Sequence, residues 1–441
     1  MTEQEKKQKA LSISIKEGSA ASFSSGIADT YITPFALILK ASPLHIGFLN
    51  ALSGLAAPLS QYLGDKLMLK YSRKKIVRIF VFLQALMWFP IAFLSYFLWK
   101  GIAQEHLALI LIIIYSILAA FGGIAYPAWF TWMGDLVPEN KRGFYFAKRQ
   151  KITGAFGLTA VLIGGFLLDI FKTKGLILLG FSILFIIASL TRFVSFFFFK
   201  KQYSPQFKMK KRDEFSLFSF LKRFDNFGKF AVYHALFNFA IMIASPFFAV
   251  YMLQDLGFSY TIYTIINMSS VVFSLLFTPL VGKISDKYGN KILLSISTLL
   301  FSINPLLWIF IKSPVLLIFI PQVLVGLANA ALTISVSNFT YDSTSQKHRA
   351  ICITYTNILS GIAIFIGSLL GGFLLDTLAS ANRFFYVFLL AALARFLVSL
   401  IIITKVKETK KVKKLPAVHV ILLHPVKSFK EEVHWFMSLI K

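Results

Sequence analysis

Twelve long apolar runs dominate this 441-residue chain and leave few folds open to it. A helix needs about 20 apolar residues to cross a hydrocarbon core of roughly 30 Å. Runs of that length lie near 18–40, 45–64, 76–99, 107–134, 152–171, 175–198, 229–253, 260–281, 291–311, 314–340, 351–375 and 384–404. In lipid a backbone must satisfy its own hydrogen bonds, so each run is expected to be a helix. The runs form two groups of six around a polar stretch rich in Lys and Arg. The expected fold class is therefore all-α, a polytopic membrane protein of twelve transmembrane helices in two six-helix bundles. The expected division is an N-terminal half 1–199, a cytoplasmic linker 200–228, a C-terminal half 229–404 and a basic, amphipathic cytoplasmic tail 405–441 lying on the inner membrane face.

The net charge of +27 would suggest nucleic acid in a soluble protein. Here the charge follows topology. If the N-terminus is cytoplasmic, the outer loops hold Lys40, Lys100, Lys172, Lys174, Lys312 and Arg383. Arg192 and Arg395 fall near inner helix ends, where they are expected to snorkel, and the rest of the 46 Lys and Arg lie on the inner side. That asymmetry places both termini in the cytoplasm of an integral cell (plasma or inner) membrane protein. The bilayer, with its anionic inner leaflet, accounts for the basic charge without nucleic acid. With 57% hydrophobic and 15% charged residues, a soluble enzyme, a disordered chain and a collagen-like fibre are excluded. The N-terminus is charged and lacks a cleavage site, so no signal peptide is expected. One cysteine, Cys352, and seven scattered His give no metal or redox motif. No GxxxxGK[ST] loop is present, so no ATP-driven step is expected. The chain is read as a monomer without cofactor, metal or catalytic activity.

The halves repeat each other. Gly164-Gly165-Phe166-Leu167-Leu168-Asp169 returns as Gly371-Gly372-Phe373-Leu374-Leu375-Asp376. In the same register Asp135 maps onto Asp342 and Arg142 onto Arg349. Ser-Leu-Thr-Arg192-Phe and Ala-Leu-Ala-Arg395-Phe match at slightly different spacing, and Pro34-Phe35 and Pro246-Phe247 sit late in the first and seventh runs. A parallel repeat of six helices is the build of transporters with two related halves.

The loop between runs 8 and 9 reads Gly282-Lys283-Ile284-Ser285-Asp286-Lys287-Tyr288-Gly289-Asn290-Lys291. With this loop, the twelve runs and the repeat, the chain resembles the major facilitator superfamily, whose loop signature is Gly-x-(Leu/Ile)-x-Asp-(Arg/Lys)-x-Gly-x-(Lys/Arg). The first-half copy is degraded: Asp65, Leu69 and Ser72 stand where the signature has Gly, Asp and Gly. The resemblance implies two pseudo-symmetric bundles and an inner gate. In that gate Asp286 would accept hydrogen bonds from a helix N-terminus and pair with an arginine of the Asp-x6-Arg repeat. Gly282, Asp286, Gly289, Asp135, Arg142, Asp342 and Arg349 are the expected cytoplasmic gate residues, with Gly289 supplying a turn that needs φ > 0.

An acid at membrane depth costs roughly 2.5–3.5 kcal/mol, so Asp29 in the first run marks a site. Ser22, Ser25, Gly26, Asp29 and Thr33 share one helical face. Asp29 is expected to bind a coupling proton, or a cationic or hydroxylated substrate group. The superfamily lines its cavity with helices 1, 4, 7 and 10, which adds Tyr126, Trp129, Trp132, His234, Asn238, Gln322, Asn329, Ser335 and Asn338. Trp129 and Trp132 also fit an interface belt, and His234 a structural role. Asn267 and Asn357 are weaker candidates. The expected substrate and proton site is Asp29, Ser25, Thr33, Tyr126, Asn238 and Asn329. The expected function is secondary active transport of a small solute by alternating access, coupled to a proton or cation. A non-transporting membrane sensor or scaffold, and a flippase for a lipid-like substrate, are the alternatives on the same fold. Without an arginine at the midplane, the substrate leans towards a neutral or cationic compound.

Overall fold

The computed structural model describes residues 2–138, 141–205, 220, 225–344, 349–378 and 382–408. The 405–441 tail therefore lies almost wholly outside the described residues, as does most of the 200–228 linker. In the first half, α1 runs Glu3–Ala28, passes through a 3-10 turn, Asp29–Tyr31, and resumes over Ile32–Ile38. It is followed by α2 (Pro43–Leu67), α3 (Arg73–Trp99), α4 (Leu107–Leu136), α5 (Arg142–Thr173) and α6 (Ile177–Lys201). In the second half α7 runs Asn226–Met242 and continues in short irregular turns to Asp255. Then come α8 (Tyr260–Tyr288), α9 (Asn290–Phe310), α10 (Pro314–Phe319 resuming at Pro321–Ser343), α11 (Arg349–Thr377) and α12 (Arg383–Lys405).

Among the described residues the helices α3 to α12 are long and apolar enough to cross a membrane. Helices α1 and α2 do not meet that measure. They are rich in Ser, Gly and other small residues, and α2 packs along the other half, on α11. Helix α1 also starts well before residue 18. Its capping box at Thr2 and Glu5 begins a helix that carries Glu17 into the bundle.

The two halves pack alike. Helix α1 lies on α5 and α6, α2 on α4, and α3 on α4 and α6. In the same order α7 lies on α11 and α12, α8 on α10, and α9 on α10 and α12. Aromatic side chains fill the interiors. Phe35 sits 5.1 and 5.0 Å from Phe181 and Phe185, and Phe248 lies 4.8 Å from both Trp308 and Phe388. The halves meet along α2 with α11 and along α5 with α8.

Two sequence expectations fail here. Arg395 does not snorkel; it is 1% exposed inside the second bundle. Arg192 turns into the first bundle, towards Gln84 of α3 and Ser195. Hydropathy put both arginines near helix ends, but the bundle offers them acceptors that lipid cannot. Trp132 is likewise fully buried, donating to the Tyr203 carbonyl at 3.0 Å, so it belongs to no interface belt.

Candidate functional site

The site begins with a break in α1. Pro34 has no N–H and its ring displaces the carbonyl four residues earlier. That carbonyl, Thr30 O, accepts from Tyr263 Oη of α8 at 3.1 Å, across the two halves. The break opens at Asp29, which is exposed although it sits in the middle of α1. Tyr115 of α4 donates to Asp29 Oδ1 at 3.4 Å. Ser25, one turn earlier, is also exposed, and both it and Arg192 lie close enough to act on the carboxylate.

A buried polar chain leads away from Asp29 along the first bundle. Glu17, 3% exposed, accepts from Ser195 at 2.9 Å and pairs with Arg149 at 3.4 Å. Gly18 is needed here: a Cβ at that position would meet the Arg149 guanidinium. Arg192 donates to Ser195 at 3.4 Å, so both carboxylates, Glu17 and Asp29, face the same arginine. Sequence spacing picked out Asp29 and missed Glu17, Gln84, Arg149 and Arg192. The repeated Leu-x-Arg-Phe element was the available signal.

Facing this chain from the second half is a cavity of about 290 Å³. Thr33 and Asn50 reach it from the first half; Asn267, Asn304, Trp308, Gln322 and Arg395 come from α8, α9, α10 and α12. Pro246 breaks α7 as Pro34 breaks α1. Carbonyls around that break take the Arg395 guanidinium: Ile241 O at 2.9 Å, which also accepts from Ala244 N at 3.3 Å, and Ala240 O at 3.4 Å, with Phe301 O of α9 at 3.0 Å.

At the end away from the N-terminus the two halves are joined by the duplicated Gly-Gly-Phe-Leu-Leu-Asp motif. Asp169 accepts from the backbone N–H groups of Tyr260 and Thr261, both at 2.8 Å, at the start of α8. Asp376 accepts from Ser42 Oγ at 2.8 Å and Leu44 N at 3.2 Å, at the start of α2. Each half thus caps a helix N-terminus of the other, where the dipole favours an anion. Gly165 and Gly372 permit the approach, since a Cβ at either would strike the opposing backbone or Thr264. Tyr31 Oη adds a further contact between the halves, 2.9 Å from Thr264 Oγ1.

The remaining candidates fall elsewhere. Thr33 lines the cavity, but Tyr126, Asn238 and Asn329 do not. Tyr126 is half exposed and stacks on Phe130. Asn238 bonds His234 O at 3.0 Å and Ser360 Oγ at 3.3 Å. Asn329 is half-buried in α10. Of the gate residues, Asp135 pairs with Arg73 at 2.6 Å and Asp342 accepts from Asn290 at 3.0 Å, each inside its own half. Arg73 and Asn290 hold the same place in the two loop signatures, so this contact is duplicated too. Ser285 and Asn338 extend the second copy. Gly289 takes φ = 89° between α8 and α9, the conformation the turn required. Gly282 lies in the last turns of α8, and Asp286 is exposed there with no hydrogen bond or ion pair among the described residues. Arg142 donates to Gly134 O at 3.1 Å. Arg349 opens α11, and its side chain lies outside the described residues.

Comparison with known proteins sets this geometry in context. The family model described as Major Facilitator Superfamily matches residues 18–242 and 230–440. The chain is 28% identical over 136 residues to a class H tetracycline resistance protein of Pasteurella multocida, covering 31% of this chain and 32% of that protein. It is 32% identical over 123 residues to multidrug resistance protein 1 of Bacillus subtilis (strain 168), covering 28% and 31%. The matched segments thus span about a third of those relatives. Among solved structures, a bacterial homologue of the iron transporter ferroportin in its inward-facing state superposes with TM-score 0.71 at 13% identity, over 92% of this chain and 100% of that one. A D-xylose–proton symporter gives 0.68 at 16%, over 93% and 99%, and the nucleoside transporter NupG gives 0.63 at 16%, over 91% and 99%.

Proposed function

Because the chain belongs to the major facilitator superfamily, we propose that it is a secondary active transporter, moving a small solute by alternating access with proton or cation coupling through Asp29. The observation that carries this reading is a polar cavity between two related halves that their own repeated motif joins, with an exposed carboxylate, Asp29, four residues before the cavity-lining Thr33. With the Lys/Arg-rich side placed in the cytoplasm, the described state is closed outward. Both relatives are named for drug resistance, which supports a solute carrier.

In the cycle proposed, solute enters the cavity and Asp29 gains a proton. Neutral Asp29 loses its attraction for Arg192 and its pull on the Tyr115 hydroxyl, so α1 is freed to move against α4 and α6. The caps at Asp169 and Asp376 then release, and the halves rock along α2/α11 and α5/α8. On the inner side, Asp286, exposed in the described state, closes with Arg142 or Arg349 around the turn of Gly282 and Gly289, while Asp135 and Asp342 stiffen the loops on which that contact is made. The test is uptake into proteoliposomes of a solute found by thermal-shift screening. Wild type should concentrate it under an inward proton gradient, whereas Asp29→Asn should retain only downhill exchange. Equal concentrative uptake by the variant would remove Asp29 from the coupling.

A further inference from the structure

The two repeat-related arginines have different company, and the difference bears on what the carrier takes. Arg192 faces two carboxylates, Asp29 and Glu17. Arg395 is bonded to backbone carbonyls and Ser245 Oγ. Among the described residues no carboxylate pairs with it, and none lines the cavity it borders. A guanidinium in that position leaves a site of net positive charge, stabilised by neutral carbonyl and hydroxyl dipoles.

The neighbouring walls supply further polar groups, both donors and acceptors. Asn304 is 5% exposed, lines the cavity, and its Oδ1 is buried without a hydrogen-bond partner among the described residues. An amide left unmatched in this way costs stability in the empty protein and can turn either end to a ligand. Gln322 is 7% exposed on the same wall. Asn50 and Asn267 already donate to Ile46 O and Tyr263 O, both at 2.9 Å, so their oxygens remain as acceptors.

Resting on the transporter reading, we propose that this cavity binds a small organic carboxylate, its anionic end met by Arg395, Asn304 and Gln322 and its hydroxyl or other donor groups by Asn50 and Asn267. A carboxylate is favoured over a neutral solute because only an anion supplies the counter-charge that the first half gives Arg192 internally. An amine is disfavoured, since nothing acidic on these walls receives it. The sequence lean towards a neutral or cationic compound rested on the absence of an arginine at the midplane, and the placement of Arg395 removes that premise.

Matched ligands test the proposal on the full-length protein in detergent: benzoate, benzamide and benzylamine, and glucuronate, glucose and glucosamine, each titrated by thermal shift and calorimetry. In at least one series the carboxylate should bind about tenfold tighter than its neutral partner or better, and the amine weakest. Arg395 also holds α7, and Arg395→Gln can fail to fold. Gln322→Glu therefore provides the second arm: it should weaken the carboxylate about tenfold more than it weakens the neutral member. A neutral or amine member binding as tightly as the carboxylate in both series, no binding by either carboxylate, or indifference to Gln322→Glu would overturn the anion site. Carboxylate binding without proteoliposome flux would instead overturn the transporter reading and leave the site standing.

Discussion

A carboxylate as buried as Glu17 persists in such a bundle only while its partners do, because an unpaired buried charge costs far more than the pair returns. Its partners are Ser195 and Arg149, and Trp129 stands 4.9 Å from the Arg149 guanidinium as a cation–π contact. Glu17→Ala should therefore destabilise the protein by about 3 kcal/mol. Thermal melting in detergent is the measurement, and the double variant with Arg149→Ala should melt closer to wild type than Glu17→Ala alone. A double variant that melts at the sum of the two single losses would show no coupling between the pair. Asp29 differs in kind. It is exposed and weakly bonded, so Asp29→Asn should leave the melting temperature nearly unchanged while abolishing gradient-driven uptake.

The breaks in α1 and α7 do similar work one level up. Pro34 frees the Thr30 carbonyl for Tyr263, and in the turn before Pro246 the Ala244 N–H goes to Ile241 O, which leaves Ala240 O to Arg395. Pro34→Ala should return a partner to Thr30 O within α1, raise the melting temperature and slow transport, as read by thermal melting and uptake together. A variant with unchanged transport would make the break incidental. The helices themselves were legible from sequence, since twenty apolar residues in lipid admit little else. Positions within them were less so. Hydropathy begins α1 at residue 18 because Glu17 and Lys16 precede it, and so hides Glu17. It placed Arg192 and Arg395 near helix ends for the same reason: a window reads composition, whereas their fate depends on which neighbouring carbonyls a broken helix leaves open. Asp29, Thr33, Gln322 and Asn267 could be named from sequence as polar groups at depth. Asn50 and Asn304 were passed over, although α9 sets Ser297, Thr298, Ser302 and Asn304 together on its buried side.

At the scale of the molecule, the repeat is the mechanism's frame. Asp169 and Asp376 form two equivalent cross-half caps, and charged hydrogen bonds of this kind contribute about 1.5–3 kcal/mol each. Asp169→Asn with Asp376→Asn should shift the ratio of outward-open to outward-closed protein by about tenfold or more. Spin-label distances between Lys40 and Lys312, cysteine-substituted at the end proposed to face outward, report that ratio; Cys352, the one native cysteine, is buried. The same approach tests the central claim most directly when a second pair, at Lys66 and Lys283, reports the inner end. As pH is lowered through the titration of Asp29, the outer pair should separate while the inner pair closes, and Asp29→Asn should hold the protein in the low-pH distribution at every pH. If the two pairs move in the same direction, or neither responds to pH or to the substitution, the protein is not a proton-coupled alternating-access carrier working through Asp29.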